Sequence, residues 1–279
     1  MGIDWSGAQS YTGDPVQIAL TDDMESNAEI IPPPEGERRW TRTSAAAAIY
    51  GLYEELRRTG QRAVVGMDFS FGFPFVDKGR YFPGDQTPLP DASALWAHIE
   101  NISHHQKDYY AGAFYRNEPY ARYFLQQPNR KGTDYSPRLR LTETRCRQQF
   151  NLHPCSVFSL IGANTVGIGS LAGMRWLQAL TVERQQEEID FRIWPFEEVR
   201  SYERLVFVEI YPRLCRRLFG DPVSPPEMPS HQRDALFAAH GVKLICQRPN
   251  CWELPGVPEE VLRTEGWIFG VTGDGRSSI

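Results

Sequence analysis

Gly2-Ile3-Asp4-Trp5-Ser6-Gly7 and Gly66-Met67-Asp68-Phe69-Ser70-Phe71-Gly72 carry the same pattern 64 residues apart. The second follows the apolar run Ala63-Val64-Val65. Each reads as an apolar strand that ends in Asp, an aromatic residue, Ser and Gly. An ionised Asp at the end of a buried strand is costly unless a positive charge compensates it. Two at equivalent strand ends point to a shared site, and a divalent cation is the simplest compensating charge.

Around these motifs the first quarter of the chain alternates between strand and helix. Val16–Leu20 reads as a second strand and Glu29–Ile31 as a third, stopped by Pro32-Pro33-Pro34. A helix follows, with Ser44 as N-cap and Gly60 as C-cap. Between them Ala45, Ala48, Ile49, Leu52, Tyr53 and Leu56 share one face at helical spacing. Ala63–Asp68 is apolar throughout, as expected of a strand covered on both faces. A strand–helix–strand path favours a parallel crossover. The strands ending at Asp4 and Asp68 are then neighbours pointing the same way. Their carboxylates meet at the carboxyl end of the sheet, where open α/β sheets bind ligands.

Residues 76–190 read as a long, mostly helical insertion, with helices at 95–102 and 171–188. The sheet returns at 205–211 and stops at Pro212; a proline-rich loop covers 221–229. Ser230 caps a helix that runs to Gly241. A short helix starts at Pro258 and ends at Glu265 before Gly266, 267–271 reads as a last strand, and the tail from 273 is expected to be loose. The expected organisation is an α/β core from 1–75 and 191–279, a mixed sheet flanked by helices, interrupted by the 76–190 insertion.

The 279 residues suffice for a sizeable core, with 41% hydrophobic and 23% charged content. A net charge of -5 argues against a wholly basic nucleic-acid binder while leaving local patches open. No apolar run approaches the roughly 18 residues of a membrane-spanning helix. The start lacks a basic segment followed by an apolar stretch, so no signal peptide is expected. The five cysteines are odd in number and form no C-x-x-C pair, which fits reduced thiols and a cytoplasmic location. Cys246 and Cys251 lack the second pair that a zinc site needs.

Four acids stand in apolar contexts: Asp4, Asp68, Glu209 and Asp234. Mg2+ or Mn2+ binds such carboxylates and accepts phosphate oxygens as further ligands. Two such ions activate a water and stabilise the leaving oxygen of a phosphodiester. Each acid also has a plainer reading. Asp4 and Asp68 can cap turns, Glu209 can pair with an arginine such as Arg213, and Asp234 can sit in a first helical turn favoured by the dipole.

The chain resembles the family called domain of unknown function 429, described as predicted RNase H-like nucleases. The resemblance rests on the two Asp motifs, extended to Ala8 and to Phe73-Pro74, and on Val166-Gly167-Ile168-Gly169-Ser170-Leu171-Ala172-Gly173, Trp194-Pro195-Phe196, Val208-Glu209-Ile210-Tyr211-Pro212, Asp234-Ala235-Leu236-Phe237-Ala238-Ala239 and Glu265-Gly266-Trp267-Ile268. These segments span nearly the whole chain in order. The resemblance implies an RNase H-like fold with an acidic site at Asp4, Asp68 and Asp234, joined by Glu209. The family often shows several acids just before the late helix, where this chain has His231-Gln232-Arg233-Asp234. Arg233 weakens a purely carboxylate site if it points inward.

Between Lys107 and Arg147 the charge changes sign, with nine basic residues against four acidic ones. Eight aromatic residues are interleaved, from Tyr109 to Tyr135. Arginines neutralise phosphates and aromatic rings stack on unpaired bases. Arg116, Arg122, Arg130, Lys131, Arg138 and Arg140 are therefore candidate contacts to DNA or RNA. The plainer reading makes the aromatics a small core and leaves the arginines solvated.

Other signals are weaker. The glycines between 162 and 173 lack dinucleotide-fingerprint spacing, and Ser6 and Ser70 have no nearby base. His231 stands one helical turn before Asp234, where it can assist proton transfer. Glu265 opposes the dipole at a helix end, which hints at an arginine partner or the edge of the site. The expected function is metal-dependent phosphodiester hydrolysis. Two alternatives remain: an actin-like nucleotide-dependent phosphotransferase, disfavoured by the short interval between the Asp motifs, and a catalytically silent nucleic-acid-binding protein of the same fold.

Overall fold

Apolar runs bounded by turn residues form the strands, and the amphipathic stretches between them form helices that cover the resulting sheet. The computed structural model describes residues 1–6, 16–21, 27–128, 130–162, 165–187, 189–200, 202–221 and 227–274. Gly7 and Ala8 of the first motif, Glu188, residues 222–226 of the proline-rich loop and the tail 275–279 lie outside them. Along the chain run β1 (Gly2–Trp5), β2 (Val16–Leu20), β3 (Glu29–Ile31), α1 (Arg42–Thr59), β4 (Ala63–Asp68), α2 (Ala92–Ser103), α3 (Gly112–Arg116), β5 (Leu125–Gln127), β6 (Arg130–Lys131), α4 (Leu141–Phe150), α5 (Gly167–Glu187), β7 (Phe191–Ile193), β8 (Leu205–Glu209), α6 (Pro212–Phe219), α7 (Ser230–Cys246) and α8 (Glu259–Thr264).

Six strands form a mixed sheet in the order β3-β2-β1-β4-β8-β7. β1, β2 and β3 form an antiparallel meander, whereas β1–β4, β4–β8 and β8–β7 are parallel. Asp4 pairs in register with Asp68, as the crossover through α1 implied. β5 and β6 form a separate two-stranded ribbon.

Side chains alternate across a strand with period two. On one face Ile3, Trp5, Ile18, Val65, Met67, Leu205 and Phe207 share a core with α1 and α5. On the other face Val206 and Val208 pack with α6 and α7. Glycines let α7 lie directly on that face. A Cβ on Gly2 would come within 2.1 Å of the Ala239 backbone nitrogen, and one on Gly66 within 2.6 Å of Val242 Cγ2.

Aromatic residues of the 76–190 segment share one continuous core with the sheet. Tyr110, Phe114, Tyr115, Tyr120, Tyr123 and Phe124 are buried in the same cluster as the sheet residues. α5 is itself a layer on the sheet: the Trp176 ring lies 5.4 Å from Trp5 and 5.2 Å from Phe207. Residues 76–190 therefore include part of the core architecture.

Local differences have local causes. α1 starts earlier than Ser44 suggested, because Thr41 and Ser44 form a reciprocal cap with bonds of 3.0 and 2.9 Å. α7 continues through Gly241 to Cys246, because Gly241 packs where a Cβ would meet Cys215 Sγ at 2.2 Å. The run 267–271 is not a strand but makes one bridge, Ile268 to Glu209. Gly266 and Gly270, at φ +70° and +96°, bend it out of extended geometry. Pro212 not only stops β8 but opens α6, as proline at a first helical position often does.

One buried cation ties the insertion to the sheet end. Arg140, just before α4, has no exposed surface. Its Nη1 donates to Glu209 Oε2 at 2.7 Å and to the Glu265 carbonyl at 2.9 Å. Its Nε donates to Glu143 Oε1 at 3.0 Å, and its Nη2 to Glu209 Oε1 and Ser70 Oγ. Glu265 is equally committed, accepting from the backbone of Phe75, Val76 and Leu141 at 2.7, 3.0 and 2.8 Å. Those donors explain a carboxylate at the end of α8. Removing one partner of a buried ion pair strands the other. Arg140→Ala is expected to lower stability by about 3–5 kcal/mol in urea unfolding. Arg140→Lys should recover less than half, because one ammonium cannot reproduce the fork. A loss below 1 kcal/mol would show that the cluster relaxes freely.

Candidate functional site

Strand alternation decides which acids meet. Asp4 lies on the face of Gly2 and Asp68 on the face of Gly66, the face that α7 covers. Glu209 shares parity with Leu205 and Phe207 and belongs to the opposite face. α7 brings the third acid. Its Ala235, Ala238 and Ala239 are wholly buried, small enough to seat the helix on β1. Asp234, one residue before Ala235, is carried to the carboxyl ends of β1 and β4.

Asp4 is buried, whereas Asp68 and Asp234 are half-buried. The carboxyl of Asp68 is pushed well above its usual range, first by burial, then by the charges of Asp4, Asp234 and Glu209; Arg213 opposes this. Asp234 is pushed up to about 6, first by burial and then by Asp4, against His231, Arg213 and Arg233. Neither Asp68 nor Asp234 accepts a side-chain hydrogen bond from a described residue. Asp4 instead has a partner: His231 Nδ1 donates to Asp4 Oδ2 at 2.6 Å, from a half-exposed ring. Arg233 turns one nitrogen to the Met228 carbonyl at 3.0 Å.

Glu209 does not join this cluster as a free carboxylate. Arg140 takes both oxygens, and the Phe71 N–H adds a 2.9 Å bond to Oε2. The sequence had offered Arg213 as its arginine partner; the partner is Arg140.

The proposed nucleic-acid contacts divide. Arg140 is wholly buried, so its guanidinium serves the interior rather than a bound polyanion. Arg138 is nearly buried, ion-paired with Asp77 at 2.5 Å and bonded to the carbonyls of Tyr81 and Pro74 at 2.6 and 2.8 Å. Arg122 pairs with Asp134 at 2.5 Å. Arg116, Arg130 and Lys131 are exposed. Of the interleaved aromatics, Tyr110, Phe114, Tyr115, Tyr120, Tyr123 and Phe124 fill the core and are not available to stack on bases.

Arg213 is the residue whose place the sequence reading missed. It follows the proline that opens α6, and that N-terminal signal was legible. Its position beside two acids was not.

Comparison with known protein families, curated proteins and solved structures finds no match for this chain. Among the described residues no group of three or more His, Cys, Asp or Glu side chains is arranged to hold a metal ion, and no helix is long and apolar enough to cross a membrane.

The raised carboxyl of Asp234 has a stability consequence. Between its ordinary 3.8 and about 6, the folded chain binds more protons there than the unfolded chain. Stability from this group is present below about pH 4 and is lost as pH rises through 6. Asp234→Asn cannot ionise. In chelator, its melting temperature should therefore gain on the wild type as pH rises from 4 to 7, by about 2–4 °C for each kcal/mol relieved. A difference that stays flat over this range would show that Asp234 carries no strain.

Proposed function

We propose that this chain is an RNase H-like, divalent-metal-dependent hydrolase of phosphodiester bonds in nucleic acid. The observation that carries the reading is the in-register pairing of Asp4 with Asp68 on the sheet face where α7 presents Asp234. The ordered motifs that resemble the domain of unknown function 429 family support it, as does the meander joined to parallel strands.

The donor chemistry fits Mg2+ or Mn2+. Asp68 and Asp234 offer carboxylate oxygens that no described residue engages by hydrogen bond, and Asp4 adds a third carboxylate. When bound, a divalent cation neutralises crowded carboxylates, polarises a phosphate and makes water more acidic. The chain's own residues do the rest. Asp68 and Asp234 hold the charge, and their mutual repulsion keeps them ready for a cation. His231 holds a proton at Nδ1 against Asp4 and exchanges it with solvent from its half-exposed ring. Glu209, fixed by Arg140, adds negative potential at Asp68 without offering a free oxygen.

One observation favours a second reading, the catalytically silent binding protein: the acids do not form a ready-made metal cage. Metal-dependent turnover separates the two. The wild type should cleave DNA or RNA with Mn2+ or Mg2+ and stop in chelator. Asp68→Asn should keep its circular dichroism spectrum and lose more than the roughly 10–100-fold that disturbing an outer-shell partner costs. Its melting-temperature shift on adding Mn2+ should also shrink. Manganese binding without turnover would identify the silent protein, and ATP-dependent transfer to an acceptor the phosphotransferase. A variant that cleaves at the wild-type rate would remove Asp68 from the site.

A further inference from the structure

A polyanion approaching three carboxylates needs positive charge beside them. The element that supplies it is α6. β8 ends at Glu209, the Ile210 N–H donates to the Met67 carbonyl at 3.0 Å, and α6 begins two residues later. Its first turn therefore stands at the carboxyl end of β4, next to Asp68. Leu214 and Cys215 are buried, with Cys215 pressed against Gly241 of α7. Arg213, Arg216 and Arg217 are all exposed. Their spacing of three and four residues puts them in one stripe on the opposite side of the helix.

We infer that this stripe of Arg213, Arg216 and Arg217 is the track that holds a nucleic-acid phosphate backbone beside the Asp4–Asp68–Asp234 cluster. The inference rests on the hydrolase reading and names the surface that reading lacks. Three further features support it. Arg213 is the cation that acts on both Asp68 and Asp234. Arg216 lies 5.9 Å from the Phe237 ring, and its ion pair with Asp221 is long, at 3.7 Å, and exposed. Exposed pairs of this kind contribute little and give way to a phosphate. In the insertion, Arg138 and Arg140 are instead held in ion pairs with their side chains buried.

The test is binding of a fluorescent single-stranded oligonucleotide in chelator, where cleavage cannot interfere. Arg216→Glu with Arg217→Glu should weaken binding at least ten-fold at low salt. The slope of log affinity against log salt should flatten by about 1.4, at roughly 0.7 per phosphate contact. Arg216→Gln with Arg217→Gln should move both readouts the same way by less, which covers the case in which charge reversal disturbs folding. Arg130→Glu with Lys131→Glu on the insertion ribbon should stay within about two-fold of the wild type. The track is overturned if the wild type does not bind, if the α6 variants bind like the wild type, or if the ribbon variant carries the larger loss. Binding that depends on α6 without cleavage in Mn2+ would sink the hydrolase reading and leave the track. Cleavage with unweakened α6 variants would do the reverse.

Discussion

A guanidinium sealed from water, that of Arg140, holds the upper edge of this protein together. It joins Glu143 at the start of α4, Glu209 at the end of β8, the Ser70 hydroxyl after β4 and the backbone after α8. A charge in that position is tolerable only if its hydrogen-bonding capacity is met. Segments far apart in sequence must therefore arrive together. Glu265 repeats the device with a carboxylate that accepts three backbone N–H groups. Together these groups fix the loops that follow β4 and β8, and so fix where Asp68 stands.

The acids on the α7 face stand close enough to repel one another. The cluster answers electrostatically. Asp68 and Asp234 have raised proton affinity, and Asp4 takes a proton donor in His231. Arg213 opposes the shift at both Asp68 and Asp234, and Arg233 opposes it at Asp234. Such an arrangement costs stability at neutral pH, because the folded chain must hold these carboxylates close together when they ionise.

Charge of the opposite sign is distributed by packing. The basic aromatic insertion buries most of its rings in the common core and engages Arg122, Arg138 and Arg140 with carboxylates. α6 rests one face on α7 and exposes Arg213, Arg216 and Arg217, with Arg213 acting on Asp68 and Asp234.

The echo of Asp4 and Asp68 was legible because it is local: an apolar strand followed by Asp, aromatic and Ser repeats in plain sequence, and the crossover rule makes such strands parallel neighbours. The unbroken apolar runs of β4 and β8 likewise marked strands covered on both faces. The α7 helix and its Asp234 were visible from apolar spacing. The sequence did not reveal that Glu209 falls on the other face and meets Arg140. Ion-pair choice depends on which side chains arrive in one dry volume, and Arg213, Arg140 and every other arginine look alike in a linear reading. The sequence offered both a core and a base-stacking role for the insertion's aromatics without choosing between them, since a ring that fills a cavity and a ring that stacks on a base have the same composition; the structure puts most of them in the core shared with the sheet. Local propensity and strand parity are properties of neighbouring residues and survive in the sequence. The partners of buried charges and the destination of a hydrophobic surface are settled only when distant segments share the same space.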